Sequence, residues 1–232
     1  MPDLNYELVV SSRAKRASLR VLPGRGLVVT VPQRVSKKAI TALVDKHRGW
    51  IDEKLAELQA ATLPCYRQWP PVSLPLRCIG SDLNLRFATR RNWEKYDDEH
   101  DVQLTIRAAA DDKAAVAAEV ATHLKALARR VLPPILASHA QLHALHYKRV
   151  SIRGQRTVWG SYSNSGTLSL NYKLLFLERE LVDYVLLHEL AHTVHLDHSE
   201  KFWRLLCSMN VNARVLDRKL AKAAPSVPPW LC

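Results

Sequence analysis

Apolar residues in the first third of the chain follow two periods in succession. Three short segments rich in β-branched residues, YELVV, ASLRVLP and GLVVTVP, are typical of strands, and residues 23–26 supply a turn between the last two. After Ser36, a residue type that caps helices, apolar positions recur at helical spacing. The pattern predicts three strands, two of them in a hairpin, and then one helix over about residues 37–60.

The middle of the chain changes character several times. A proline-rich stretch without a period is followed by strand-like segments and then by alanine-rich helical sequence. Proline removes a helical hydrogen bond, so a helix is expected to end before the pair Pro133-Pro134. The predicted elements are a connector over residues 62–75, strands around 83–89 and 102–106, a helix from about 111 or 112 to the proline pair, and a second helix ending near 143.

The C-terminal part again combines strands and helices. Residues 148–177 contain two or three strand-like runs, and Gly166 marks a hairpin turn between TVWGSYS and TLSLNYKL. Helical spacing begins at Glu178, and two more helices are predicted from near Ser199 and over about 212–223. The whole pattern predicts an α+β fold in two domains: a β-rich domain with one long helix over residues 1–110, and a second domain over 111–232.

Composition indicates the cellular compartment and argues against two classes of protein, those that span a membrane and those that are secreted with a disulfide framework. The 232 residues contain no run near the roughly 20 apolar residues that span a bilayer, so no membrane partner is expected. The N-terminus lacks the basic and apolar regions of a secretory signal. Four cysteines are scattered without C-x-x-C pairing, which argues against a disulfide framework. These features predict a cytoplasmic protein. They indicate nothing about its oligomeric state.

Positive charge is concentrated in one long segment of the chain. The net charge is +12, and residues 120–177 contain eight basic residues and no acidic one. Such a segment can attract nucleic acid, nucleotides or other polyanions, and it can equally be a solvated basic face. It leads directly into a cluster of histidines, so an anion bound there would lie near that cluster. The basic residues are Lys125, Arg129, Arg130, Lys148, Arg149, Arg153, Arg156 and Lys173.

The stretch VLLHELAHTVHLDHSEKFW holds four histidines within eleven positions. His188 and His192 are four residues apart on a predicted helix, so both imidazoles project from one face and can bind one zinc ion. Glu189 lies one step round the helix, where it is placed to act as general base on a zinc-bound water. The pattern His-Glu-x-x-His therefore predicts a catalytic zinc site rather than histidines that merely decorate an amphipathic helix.

A catalytic zinc needs a third protein ligand, and two histidines compete for that role. In an unbroken helix His195 would lie about 10 Å along the axis from His188, which is too far to share one tetrahedron comfortably. A turn over residues 195–197 would bring His198 back to the metal. We therefore predict His198 as the third ligand and His195 as a residue of the turn or one that contacts a ligand without binding the metal. Asp197 either orients a ligand or, as we favour, caps the next helix.

The histidine motif and its surroundings resemble a known family. HELAHTVHLDH has the spacing of the metzincin motif, except that His195 stands in place of its glycine, and a signal peptide, disulfides and a methionine turn are missing. The chain more closely resembles the YgjP-like metal-dependent hydrolases, which are related to the SprT-like and WLM metallopeptidases. The likeness is carried by HELAH, DHSEKFW, WGSYSNSGTLSLNYKLLFL and RAKRASLRV…GLVVTVP…WIDEKL, with Tyr162 where the family has a cysteine and the weakest match over about residues 62–101.

This resemblance implies a minimal zincin core, in which a short antiparallel sheet packs on the helix that carries His188 and His192. The sheet edge of a zincin can bind an extended peptide by strand addition. The residues expected to contact substrate are Trp159, Gly160, Ser161 and Arg156. Trp159 is equally well explained as a core aromatic residue. Phe202 and Trp203 are expected to pack the following helix against the first and thereby position His198.

Three functions are compatible with these features. The leading hypothesis is a zinc-dependent metallopeptidase that acts on peptide or protein substrates, with zinc on His188, His192 and His198 and with Glu189 as base. A metal-dependent nucleoside triphosphate hydrolase would instead need Arg153, Arg156 and Lys173 to converge on the metal, because the chain has no glycine-rich phosphate loop. The third hypothesis is a basic nucleic-acid-binding module with a structural zinc, in which Glu189 would be dispensable.

Overall fold

The computed structural model describes residues 5–88 and 103–231 and has the predicted α+β fold. It contains two compact units, Met1–Arg67 with Pro228–Cys232, and Gln68–Val227. The domain boundary at residue 110 stays a prediction. The strands are β1 (Tyr6–Val10), β2 (Ser18–Leu22), β3 (Gly26–Val31), β4 (Ser73–Leu76), β5 (Ser81–Phe87), β6 (Gln103–Ile106), β7 (Arg149–Arg153), β8 (Gly160–Tyr162) and β9 (Thr167–Asn171), and the helices are α1 (Lys37–Lys46), α2 (Arg48–Ala61), α3 (Lys113–Leu142), α4 (Arg179–Ala191), α5 (Glu200–Met209) and α6 (Ala213–Leu220).

The first unit is a three-stranded sheet with two helices. Its strand order is β1-β3-β2, with β2 antiparallel and β1 parallel to β3, so the predicted hairpin is confirmed. Alternate residues of β3 pack against one face of the helices, as the two periods of the sequence require. The buried cluster consists of Leu27, Val29, Val31, Ile40, Val44 and Ile51.

The single helix predicted over residues 37–60 is wrong, because the chain forms two helices there. Ser36 caps α1 as expected, and its side chain accepts a hydrogen bond from the Ala39 backbone N–H. At His47 the backbone leaves helical geometry, with φ −106° and ψ 15°. Glycine is a poor helix former, and Gly49 lies directly after this break. Apolar spacing alone does not detect the interruption, because Ile40, Val44 and Ile51 face the same core on both sides of it.

The second unit begins with the sheet β4-β5-β6. Strand β4 occupies part of the stretch predicted as a connector, so that prediction is partly wrong. Leu74 and Leu76 are fully buried at alternate positions of β4, and Pro75 between them is tolerated because β4 is an outer strand of its sheet. Strands β5 and β6 confirm the two predicted strands, whose outer ends, Thr89 and Val102, lie outside the described residues.

Helix α3 runs through Pro133 and Pro134, so the helix end predicted there is wrong. A proline inside a helix costs about 3 kcal/mol, whereas burying one leucine side chain contributes about 1.5–3 kcal/mol. The buried stripe of α3 continues at intervals of four residues on both sides of the prolines, and this burial outweighs the lost hydrogen bonds. The stripe consists of Leu124, Ala128, Leu132, Leu136 and Ala140.

The third sheet lies beside the helices that carry the histidine motif. Its order is β7-β9-β8, and the predicted hairpin between β8 and β9 turns at Gly166, which has φ +83°. The sheet is mixed rather than purely antiparallel, because β7 runs parallel to β9. Residues Tyr172–Phe176, predicted as the end of a strand, form a buried 3₁₀ helix because the Asn171 side chain accepts the Lys173 backbone N–H.

Helix α4 is the centre of this unit. Strand β8 and helices α3, α5 and α6 all pack against it, and Leu186 and Leu190 are fully buried. His139 of α3 contacts Asp183 of α4 at 2.9 Å between Nε2 and Oδ1, and Arg179 donates to the same oxygen at 3.0 Å. None of the helices in the described ranges is long and apolar enough to cross a membrane.

Candidate active site

The His-Glu-x-x-His motif occupies the last turn of α4. His188 and Glu189 lie within the helix, and His192 is its C-cap residue. The apolar residues before the motif are buried, so the end of the helix is held in the core. The four-residue spacing places His188 and His192 one above the other, and their Nε2 atoms are 3.2 Å apart.

His198 returns to this pair after a tight turn. The turn begins where the His195 N–H donates to the Ala191 carbonyl at 3.0 Å, and α5 starts two residues beyond His198. The His198 Nε2 atom lies 3.1 Å from Nε2 of His188. A ring nitrogen from each of His188, His192 and His198 lies within 4.8 Å of the other two, a grouping able to hold a metal ion. The described residues thus bring together the three histidines that the sequence predicts.

Hydrogen bonds identify which nitrogen of His192 carries the proton. Its Nδ1 atom lies 2.9 Å from the His195 carbonyl oxygen, which can only accept, so Nδ1 is the protonated nitrogen. The Nε2 atom of His192 then carries a lone pair, which is directed at the other two histidines. Burial lowers the pKa of His188 to about 4, and burial also lowers the pKa of His192. Both rings are therefore neutral near pH 7, which is the form that binds a metal.

His195 takes part through its backbone and not through its ring. Its carbonyl is the group that orients His192, which agrees with the prediction that His195 lies in the turn or contacts a ligand histidine. The N-cap residue of α5 is Ser199, so the prediction that Asp197 caps this helix is wrong. The Asp197 carboxylate instead accepts the Ser199 backbone N–H at 3.2 Å, within the turn that precedes α5.

The aromatic ring of Phe202 contacts all three histidines. Phe202 of α5 is fully buried, and its ring stacks on His192 with centroids 4.6 Å apart. The same ring lies 5.0 Å from His188 and 4.9 Å from His198. Because Phe202 and His198 lie close together in the chain, packing of α5 against α4 also places His198, as the sequence predicts.

Glu189 points towards β8 rather than towards solvent. It is 5% exposed, and its Oε2 atom has no hydrogen-bond partner. Burial raises the pKa of this carboxyl to about 8. A Cβ atom at Gly160 would lie 2.7 Å from both Cγ and Oε1 of Glu189, a distance that real side chains do not adopt. Gly160 therefore leaves the space that Glu189 occupies.

Strand β8 offers an outer edge next to this carboxylate. Bonded pairs alternate along an antiparallel ladder, and here the Asn171 N–H donates to the Trp159 carbonyl while the Ser163 N–H donates to the Thr167 carbonyl. By this alternation Ser161 is a hydrogen-bonded position of the ladder, and Gly160 is not. The N–H and C=O of Gly160 therefore point away from β9. The backbone of Gly160 thus faces the open side of the sheet.

The remaining predicted contact residues are arranged around this strand. Ser161 is exposed on β8, Trp159 is half-buried, and Arg156 is exposed in the loop that precedes the strand. Their contact with substrate stays a prediction. The sequence did not single out Asn171, whose buried amide donates to the carbonyls of Gln155 and Val158 at 2.8 and 2.9 Å and so holds that loop. No local motif marks this asparagine, since its partners come together only in the folded sheet.

A trio of histidines on and after a helix that also carries a buried glutamate defines a metallopeptidase-type site. The chain belongs to the YgjP-like metallopeptidase domain family, whose sequence model matches residues 15–223. The protein is therefore a metal-dependent hydrolase that acts on peptide or protein substrates, and the two alternative functions considered above are not favoured. The family that the motifs resemble is confirmed.

Two solved structures are also similar to part of the chain. The metallopeptidase zymogen of Pyrococcus abyssi abylysin is 28% identical, with 39% of this chain and 93% of that chain covered and a TM-score of 0.35. The metallopeptidase zymogen of Methanocaldococcus jannaschii jannalysin is 21% identical, with 39% and 94% covered and a TM-score of 0.36. A comparison with curated proteins finds no significant match.

Proposed function

We propose that the protein is a zinc peptidase in which His188, His192 and His198 hold the metal. The observation that carries this proposal is the convergence of their Nε2 atoms, with separations of 3.1 and 3.2 Å from His188. Zinc–nitrogen bonds of about 2.0–2.1 Å in a tetrahedron put two ligand nitrogens about 3.3 Å apart. Two neutral imidazoles that direct lone pairs at each other repel, and a cation between them removes that repulsion. The residues therefore fit zinc.

Glu189 is proposed as the general base. A bound zinc ion supplies a Lewis acid that lowers the pKa of water towards about 7 and polarises a peptide carbonyl. The unpartnered Oε2 atom of Glu189 can accept a proton from the attacking water and later deliver it to the leaving amine nitrogen.

The substrate is proposed to bind along the open edge of β8 as an added strand. The backbone N–H and C=O of Gly160 would pair with an extended peptide, which brings one peptide bond past the Glu189 carboxylate. Ser161 and Trp159 flank this residue, and Arg156 lies in the adjoining loop. Main-chain pairing gives little sequence selectivity, so unfolded polypeptide is the substrate class that this edge favours.

A cytoplasmic location and a nucleic-acid or nucleotide partner for the basic segment over residues 120–177 remain predictions from the sequence. Within that segment Lys173 is 7% exposed, whereas Arg153 and Arg156 are exposed. Of the three cations that a triphosphate hydrolase would need at the metal, Arg153 and Arg156 are thus open to an anion, whereas the buried Lys173 is poorly placed to share it.

Zinc quantification with a substrate screen tests the proposed function. We expect the purified protein to bind one zinc ion per chain and to cleave an unfolded protein, with cleavage lost on chelation and restored by added zinc. DNA-bound protein and nucleoside triphosphates are screened in parallel by gel and by phosphate release. Hydrolysis of triphosphates without any peptide cleavage would contradict the peptidase proposal.

Replacing Gly160 by alanine is expected to lower peptidase kcat by about 10–100-fold while leaving the zinc content unchanged. The added Cβ would overlap the Glu189 side chain and displace its carboxylate, whereas the three histidines are not touched. Steady-state kinetics and metal analysis measure the two effects. Gly49→Ala is the matched control, since a Cβ there meets nothing within 4 Å. Wild-type kinetics for Gly160→Ala would show that this close approach does not matter.

A further inference from the structure

Tyr184 connects the histidine cluster to α6. It lies one helical turn before His188 on α4, and its side chain is fully buried. Its hydroxyl donates to Oδ1 of Asp217 on α6 at 2.8 Å. The hydroxyl oxygen of Tyr184 also lies 3.4 Å from Nδ1 of His188. Because the hydroxyl proton is directed at the carboxylate, the Tyr184 oxygen is left to accept the Nδ1–H of His188.

We infer that Tyr184 and Asp217 are positioning residues that hold His188 in its metal-binding tautomer. With the proton held on Nδ1, the Nε2 lone pair of His188 is directed at His192 and His198, from which it is 3.2 and 3.1 Å away. The half-buried carboxylate of Asp217 polarises the hydroxyl, which makes the Tyr184 oxygen a better acceptor. This inference rests on the proposed function, because it assigns the pair to the same metal site.

A second contact between α4 and α6 makes it possible to distinguish positioning of His188 from simple attachment of α6 to α4. Lys219, two residues after Asp217, pairs with Glu178 at 2.7 Å and with Glu180 at 3.6 Å at the start of α4. Helix α6 is therefore attached to α4 at a point away from His188. If the Tyr184–Asp217 contact only docked α6, removing either attachment would have similar consequences.

The test compares zinc affinity across four variants by competition with a chelator. Tyr184→Phe keeps the buried ring and removes the hydroxyl, and Asp217→Ala removes the carboxylate. Both are expected to weaken zinc binding by about 10–100-fold, the usual effect of losing an outer hydrogen-bond partner of a ligand histidine. Asp217→Asn, which retains an acceptor oxygen, is expected to recover part of the affinity. Lys219→Ala is expected to bind zinc as tightly as the unmodified protein.

Two further readouts keep the result interpretable. Thermal unfolding of the metal-free proteins measures the structural effect, and Tyr184→Phe and Lys219→Ala are expected to lower Tm to a similar, small extent. Nitrogen NMR of the imidazole rings is expected to show His188 protonated on Nδ1 in the unmodified protein and a mixture of tautomers in Tyr184→Phe. Zinc affinities for Tyr184→Phe and Asp217→Ala within twofold of the unmodified protein would overturn the inference. Absence of zinc binding by the unmodified protein would instead overturn the proposed function, and this inference with it.

Discussion

Glu189→Gln is expected to lower the rate of peptide hydrolysis by about 10²–10⁴-fold while the bound zinc stays at one ion per chain. Glutamine has the size of glutamate, so it fits the space that Gly160 leaves beside β8. Its amide has no basic oxygen that could take a proton from water. The proposed metal ligands His188 and His192 keep their positions, because the helix that carries them is unchanged. Steady-state kinetics on an unfolded protein and metal analysis of the same sample measure both quantities.

The matched control for this variant is Glu200→Gln. Glu200 is exposed in the first turn of α5 and pairs with Arg204 on the surface, so its loss is expected to leave zinc content and rate unchanged. The two glutamates thus differ in burial and in proximity to β8, not in chemistry. Wild-type activity in Glu189→Gln would remove the general base from the proposed mechanism. Loss of zinc from this variant would mean that Glu189 also supports the metal site.

Local spacing was sufficient to predict the motif because its geometry is contained in one helix. His188 and His192 are separated by about one helical turn, so their common face follows from the secondary structure alone. The return of His198 could be predicted because a continuous helix would carry His195 too far along its axis to reach a metal bound by His188 and His192. In the structure α4 ends at Ala191, and the turn that follows places His198 beside the pair.

The elements that the sequence misassigned depend on contacts made far along the chain. Two prolines in succession predict a helix end, yet burial on both sides of Pro133 keeps α3 continuous. The same limit applies within the site. Asp217 lies 33 residues from Tyr184, and the hydrogen bond between them forms only when α6 packs on α4. Asn171 likewise gains its partners only when the sheet forms. Periodicity therefore finds the proposed ligands that share a helix and misses the groups that contact them from other elements.

His198→Ala is expected to weaken zinc binding on the order of 10²–10³-fold, whereas His195→Ala is expected to change it little. The apparent binding free energy of about 10–16 kcal/mol for a four-ligand zinc site corresponds to roughly 2.5–4 kcal/mol for each ligand. His198 supplies one of the three converging nitrogens. His195 supplies only its backbone carbonyl, which accepts from His192 and which alanine retains.

Comparing these two variants separates the contribution of the His198 ring to zinc affinity from that of the His195 backbone. Both substitutions lie in the turn between α4 and α5, so a general loosening of that turn would affect both alike. Chelator competition measures the zinc affinity of each variant, and thermal unfolding of the metal-free forms shows whether the turn is intact. A larger loss of affinity in His195→Ala than in His198→Ala would reassign the third ligand. Equal losses would indicate that the conformation of the turn controls metal affinity. The expected asymmetry, in contrast, requires that His198 binds with its ring while His195 orients His192 through its carbonyl.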